Sequence, residues 1–215
     1  MPPTKYCKIC FKKIKNDDIY RLFDGNYCLC NACQDEMEPL FVRFKVDGYK
    51  ACAIYDYSPF IKNLIYLYKG CYDYELNEVF LNPFFQEIKV RYKGYKMIPI
   101  PSYEEDNQKR GFNHVVEAFK NIGIEELPII EKTAHHKQAE LSSKGRGEIK
   151  KYLALKEHPD LRKSNVVLVD DIYTTGSTMK AAINLVEKLN PKTIRVLVLA
   201  KTRAKTDNKT NTNIF

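Results

Sequence analysis

Apolar residues along the 215-residue chain recur in two rhythms. One short run, Val166 to Val169, lacks the polar alternation of a half-exposed strand, which predicts a strand buried on both faces of a parallel sheet; Thr193 to Ala200 reads as a second apolar strand, and Met97 to Pro101 as a short one that its prolines stop from running further. Ala51 to Tyr57 reads as another strand. Between these runs the apolar residues are three and four apart. Ile61, Leu64, Ile65 and Tyr68 follow Pro59, Val115, Val116 and Phe119 follow Gly111-Phe112-Asn113, and Met179, Ala182, Ile183, Val186 and Leu189 follow Gly176, so each set predicts a helix. Lys69-Gly70 ends the first of these. A helix from about Tyr74 to Ile88 is expected to be interrupted or split at Pro83. Alternating strands and helices predict an α/β fold, and the right-handed crossover rule makes the strands at 166–169 and 193–200 parallel. Gln34 to Gly48 reads as the passage into this unit, and Tyr103 to Arg110 as a charged loop. The chain is thus expected to divide into residues 1–48, an α/β unit at 49–203 and a polar, disordered tail at 204–215.

The strand at 166–169 ends in Asp170 and Asp171, and Thr174, Thr175, Gly176, Ser177 and Thr178 lead from there into a helix. A loop between the carboxyl end of a sheet strand and the start of a helix offers unpaired N–H groups to an anion. The hydroxyls add donors, and Gly176 lets backbone approach without a Cβ in the way. Two adjacent acids would repel a phosphate unless they accept hydrogen bonds from sugar hydroxyls or help hold a divalent cation. The ligand these residues suggest is a phosphorylated sugar. Arg110-Gly111 stands at a second strand-loop-helix junction and suits a further anionic group such as pyrophosphate.

Cys7-x-x-Cys10 and Cys30-x-x-Cys33 are separated by a turn-rich stretch containing Asn16, Asp17, Asp18, Asp24, Gly25 and Asn26. Such spacing suits a ribbon in which four thiolates surround one tetrahedral zinc, a closed shell and hence structural rather than catalytic. Cys28 leaves open a second arrangement, Cys28-x4-Cys33. Cys52 and Cys71 sit among apolar residues and read as core residues. His114, His135, His136 and His158 form no ligand pattern.

Taken together, IPIP at 98–101, KRGFN at 109–113 and VVLVDDIYTTGST at 166–178 resemble the ComF family, the phosphoribosyltransferase-like competence proteins with a short N-terminal zinc finger. The likeness includes the cysteine pairs and Leu67-Tyr68-Lys69-Gly70. It implies a type I phosphoribosyltransferase-like sheet that binds 5-phosphoribosyl 1-pyrophosphate (PRPP) with Mg²⁺. Thr174 to Thr178 would take the 5′-phosphate, Asp170 and Asp171 the ribose hydroxyls, and Arg110-Gly111 the pyrophosphate. It further implies a cytoplasmic role in natural transformation and DNA uptake, beside a DNA-uptake helicase or other competence proteins. The basic stretch from Ile130 to Leu155, with Lys132, Lys137, Lys144, Lys150 and Lys151, corresponds to the flexible loop that closes over PRPP. Gln138, Leu141 and Arg146 match family positions, whereas His135 and Ile149 replace a Thr and an Asn.

The net charge of +8 favours anionic partners. With 15 tyrosines it suits single-stranded DNA, whose phosphates attract Lys and Arg and whose bases stack on rings. No apolar run approaches the roughly 18 residues of a membrane helix. The start MPPTKYCKIC lacks a signal-peptide core, which predicts a cytoplasmic protein without membrane insertion, and seven cysteines in that compartment argue against a disulfide framework. Two functions remain open: an active phosphoribosyltransferase with an acceptor that no motif identifies, and a DNA-handling protein in which PRPP is a ligand.

Overall fold

The computed structural model describes residues 5–14, 28–133 and 152–203. The basic stretch expected to act as a lid, with His135, Gln138, Leu141, Arg146 and Ile149, lies outside the described residues at 134–151. So do the turn residues 15–27 and the tail from 204 onward.

The sheet has six strands in the order β1-β2-β8-β7-β3-β4. These are β1 (Pro39–Val46), β2 (Tyr49–Asp56), β3 (Tyr95–Pro99), β4 (Glu125–Glu126), β7 (Asn165–Tyr173) and β8 (Thr193–Lys201). Within this sheet, among the described residues, only the β1–β2 pair is antiparallel. A two-stranded antiparallel sheet, β5 (Ile130–Lys132) with β6 (Leu153–Leu155), stands apart at the two flanks of the 134–151 stretch. The mostly parallel α/β architecture agrees with the apolar runs, because residues on β7 feed two cores. Val167 and Val169 pack with α2 (Pro59–Gly70) and α5 (His114–Phe119) on one face. Val166 and Leu168 pack with α6 (Ser177–Glu187) on the other. All four are fully buried, so neither face of β7 has room for a polar residue between positions 166 and 169.

Four sequence expectations need correction. Residues 34–48 are not a simple passage: α1 (Asn31–Met37) leads into β1, and the tight turn at Asp47-Gly48 joins β1 to β2. The boundary expected near residue 48 therefore falls inside a hairpin. Residues 103–110 are not a loop but contain α4 (Glu104–Arg110), which buries no residue and so leaves no periodic signature. Its ends carry the signal instead. Glu104, Glu105 and Asp106 sit in the first turn and Lys109 and Arg110 in the last, each complementing the helix dipole. The helix expected at 74–88 is two 3₁₀ turns, Tyr74–Glu78 and Asn82–Phe84, followed by α3 (Phe85–Arg91), with Pro83 in the second turn. Finally, β7 runs past Val169 through both aspartates to Tyr173, because pairing with β8 continues at Ile172↔Ala200 and Tyr173↔Lys201.

Candidate functional site

Pro99, the last residue of β3, shapes the site. Pro99 is the last residue of β3 to pair with β7, opposite Val169, and Ile100 N–H donates to the Val169 carbonyl at 2.9 Å. Beyond Val169, β7 has a ladder partner only in β8, so the segment 170–173 is open on the β3 side at the carboxyl end of the sheet. Carboxylates take backbone donors there: Asp170 Oδ1 accepts from Asp171 N–H at 2.9 Å, and Asp171 Oδ1 from Ile172 N–H at 2.6 Å.

The second oxygen of Asp171 gathers groups from distant parts of the chain. Lys69 Nζ, at the end of α2, donates to Oδ2 at 2.5 Å, and His114 Nε2, in the first turn of α5, lies 3.1 Å from the same atom. The other imidazole nitrogen, Nδ1, is 3.1 Å from an Arg110 Nη1 and 3.3 Å from Ser102 Oγ. Arginine can only donate and an ionised carboxylate can only accept, so His114 is the neutral tautomer with its proton on Nε2. Burial, the largest influence, pushes the His114 pKa down despite Asp171. Burial works against ionisation of Asp171 too, but the His114 hydrogen bond and the Lys69 charge outweigh it and hold the carboxyl below the ordinary range. Asp170 moves the opposite way, raised by burial and then by the charge on Asp171. The adjacent acids are thus unequal: Asp171 is a fixed anion, and Asp170 is the one more easily neutralised.

The hydroxyl loop follows directly. Thr174 and Thr175 are exposed, Gly176 has φ 75° as the residue before α6, and Thr175 Oγ1 and Ser177 Oγ lie 3.0 Å apart. A Cβ on Gly176 would sit 2.2 Å from the Tyr173 hydroxyl, so glycine is required both by the left-handed conformation and by that ring. Gly176 has no capping side chain, and the first N–H groups of α6 face the loop that Thr174, Thr175, Ser177 and Thr178 border.

Arg110 and Gly111 occupy less open positions than their sequence context suggests. Arg110 donates from Nε to the Lys69 carbonyl at 3.0 Å and from Nη1 to Asn107 Oδ1 at 3.3 Å, besides facing His114. It braces the cluster. Gly111, at φ 82°, caps α4 through its N–H to Asn107 at 2.8 Å. Lys69 and His114 are the residues that sequence reasoning missed. The available signals were the LYKG tetrapeptide, and a histidine just behind Asn113, whose side chain caps α5 by accepting from Val115 and Val116.

The N-terminal cysteines converge as the spacing predicts. Cys7, Cys10, Cys30 and Cys33 place their sulfur atoms within 4.8 Å of one another, a set able to hold a metal and fitting a zinc ribbon. Cys28 is not in that set; burial pushes its thiol up to about 12. The ribbon is not a free appendage. Cys7, Leu29, Cys33 and Met37 belong to the same buried cluster as Tyr55 and Leu64, and Lys8 bridges Glu75 and Glu78 at 2.9 Å each. Of the other two cysteines, Cys52 is half-buried and Cys71 exposed, so Cys71 is not the core residue it was expected to be.

Residues 110–215 match the family described as Phosphoribosyl transferase domain. The chain therefore carries a phosphoribosyltransferase-like domain behind an N-terminal four-cysteine cluster. It is a homologue of proteins named Competence protein ComFC: the one from Streptococcus pneumoniae (strain ATCC BAA-255 / R6) is 27% identical over 91% of this chain and 99% of its own length. The one from Bacillus subtilis (strain 168) is 26% identical over 87% and 80%. The resemblance to the ComF family thus extends over most of the chain. Among solved structures, a hypoxanthine phosphoribosyltransferase from Staphylococcus aureus aligns with 63% of this chain and 71% of its own at 13% identity and a TM-score of 0.39, too low to carry weight alone. No helix among the described residues is long and apolar enough to cross a membrane.

Proposed function

We propose that this is a PRPP-binding, ComF-type competence protein that acts in DNA uptake on the cytoplasmic side. The observation that carries the reading is Asp171, a buried carboxylate kept ionised by His114 and Lys69 beside an open hydroxyl loop and a helix start. Thr174, Thr175, Gly176, Ser177 and Thr178 would hold the 5′-phosphate, and Asp170 with Asp171 the ribose hydroxyls. Asp170, the less firmly ionised of the pair, gains most from a cation, so Mg²⁺ bound with PRPP suits it. When bound, Mg²⁺ would neutralise pyrophosphate charge. Lys69 must share or leave the Asp171 oxygen when a sugar hydroxyl arrives, and Arg110 with Gly111 reaches the pyrophosphate only if some of the bracing bonds are exchanged. The four-cysteine set would hold one structural Zn²⁺. Single-stranded DNA, and a DNA-uptake helicase or other competence protein, are the partners this reading supplies.

A second reading, an active phosphoribosyltransferase, is favoured by the cations Lys69 and Arg110 near the acid pair, which can stabilise a leaving pyrophosphate. PRPP with Mg²⁺ should raise the melting temperature, since a ligand of the native state stabilises it by mass action. Asp171→Ala and Thr175→Ala should each diminish that rise. An undiminished rise in both variants would refute the assignment of the site, and pyrophosphate release with a nucleobase panel separates the two readings.

A further inference from the structure

At the opposite end of the sheet from Asp171, Lys45, Lys50 and Arg195 stand in register on three neighbouring strands, Lys45 paired with Lys50 and Lys50 with Arg195. Like charges directly opposite one another destabilise a sheet, so three in a row call for an explanation. Protection of an edge strand explains Lys45 on β1, since charge there blocks pairing with another chain. It does not explain Lys50 and Arg195, which lie on the interior strands β2 and β8. These three, with Arg43 and Arg91, line a groove of about 490 Å³ that no acidic residue lines. Among the described residues, none of Arg43, Lys45, Lys50 and Arg91 forms an ion pair.

A second groove, of about 650 Å³, adjoins the first, and Tyr92 lines both. Lys89, Lys93, Lys96 and Lys163 line it, against one acid, Glu125, which Lys96 engages at 2.8 Å. The two are also linked by a stacked pair: Arg195 lies over the Tyr95 ring, 5.6 Å from its centre. Nine cations along a connected track exceed what one small anion can neutralise. The track is concave, which suits a chain of phosphates better than a flat bilayer.

We infer that these joined grooves bind the phosphate backbone of single-stranded nucleic acid, with Arg43, Lys45, Lys50, Arg91 and Arg195 as the main contacts. This deepens the DNA-handling reading by placing the strand at the amino ends of the strands, away from the PRPP loop and independent of the lysines at 134–151. The two sites work without sharing a residue.

The test is fluorescence anisotropy of a labelled oligothymidylate with the full, metal-replete chain, titrated with salt. Neutralising Arg43, Lys45 and Lys50 together (each →Gln) should weaken binding at least tenfold and flatten the log–log salt slope by about 2, as each lost phosphate contact removes about 0.7 for a single strand. All three side chains are exposed, so the fold should survive, and an unchanged PRPP-induced melting shift verifies that in the same sample. Lys150→Gln/Lys151→Gln should retain most of the affinity. The inference is overturned if wild-type protein binds no oligonucleotide, if the triple variant binds as wild type does, or if poly-glutamate of equal charge competes as well as the oligonucleotide. Loss of the PRPP shift in wild type with oligonucleotide binding intact would refute the PRPP reading and leave this one standing.

Discussion

At the carboxyl end of β7, Asp171 is buried and its charge is answered: Lys69 and His114 meet the same carboxylate oxygen, and Arg110 donates to the other imidazole nitrogen. At the amino ends of β2 and β8, Lys50 and Arg195 stand next to each other and next to Lys45 with no acid among the residues lining their groove. The contrast follows from water. A charge removed from solvent costs several kcal/mol unless it is paired, so the carboxyl end is held in one geometry, which would suit a small ligand. Exposed cations are screened within about 10 Å at 0.1 M salt and tolerate one another, which suits a long polyanion whose grip varies with salt.

The largest effect should come from the metal, and it should reach the carboxyl end through packing. Cys7, Cys33 and Met37 share a buried cluster with Leu64 and Tyr68, and the Tyr68 hydroxyl donates to the His114 carbonyl at 2.8 Å. Purified protein should contain about one equivalent of zinc. Chelation, or Cys7→Ser or Cys33→Ser, should remove a folding contribution on the order of 10 kcal/mol. Melting curves with and without chelator check this, with the PRPP-induced shift lost in parallel. A carefully prepared sample free of metal and fully folded would contradict it.

His114→Ala should have the next largest effect, a loss of about 2 kcal/mol, because a buried carboxylate loses a hydrogen bond and Arg110 an acceptor. It should abolish most of the PRPP shift and leave oligonucleotide affinity within about twofold of wild type. Denaturant titration and anisotropy on the same variant read both. Equal damage to both ligands would mean the two ends are not independent.

How much of this was legible depends on how local each signal is. The hydroxyl loop, both aspartates and the helix after them occupy one continuous stretch, Asp170 to Thr178, and were readable as they stand. Lys69 and His114 were not, since their role arises from meeting Asp171 across 102 and 57 residues. The edge strand β1 was overlooked because Arg43 and Lys45 alternate with Phe44 and Val46, a half-exposed rhythm unlike the continuous runs that marked the central strands. Helix α4 has no apolar face at all, and only its charged ends betray it. The positive charge was visible in the composition, yet its place on the sheet was not, because register alone brings Lys45, Lys50 and Arg195 together.

Acid should produce a smaller, stepped loss of stability at the carboxyl end alone. His114 has a folded pKa below its unfolded value near 6.5, so the unfolded chain binds the proton first and stability falls as pH drops below about 6.5. Asp171, depressed when folded, contributes stability that is present above about 3.9 and lost as pH falls toward its folded value. Asp170, raised when folded, opposes this, its contribution being present below about 3.9 and lost as pH rises through its folded value. Denaturant midpoints measured across pH 3 to 8 should show the upper step in wild type and not in His114→Gln. An identical upper step in the variant would assign it to another group.

The most direct test is calorimetric titration of PRPP with Mg²⁺ into wild-type protein, Asp171→Ala and Thr175→Ala, each verified as folded and zinc-loaded. One site per chain should appear in wild type, with affinity at least tenfold weaker in both variants and the oligonucleotide affinity of all three alike. PRPP binding of undiminished strength in both variants, or none in wild type, would contradict the assignment of Asp171 and the hydroxyl loop as the ligand site.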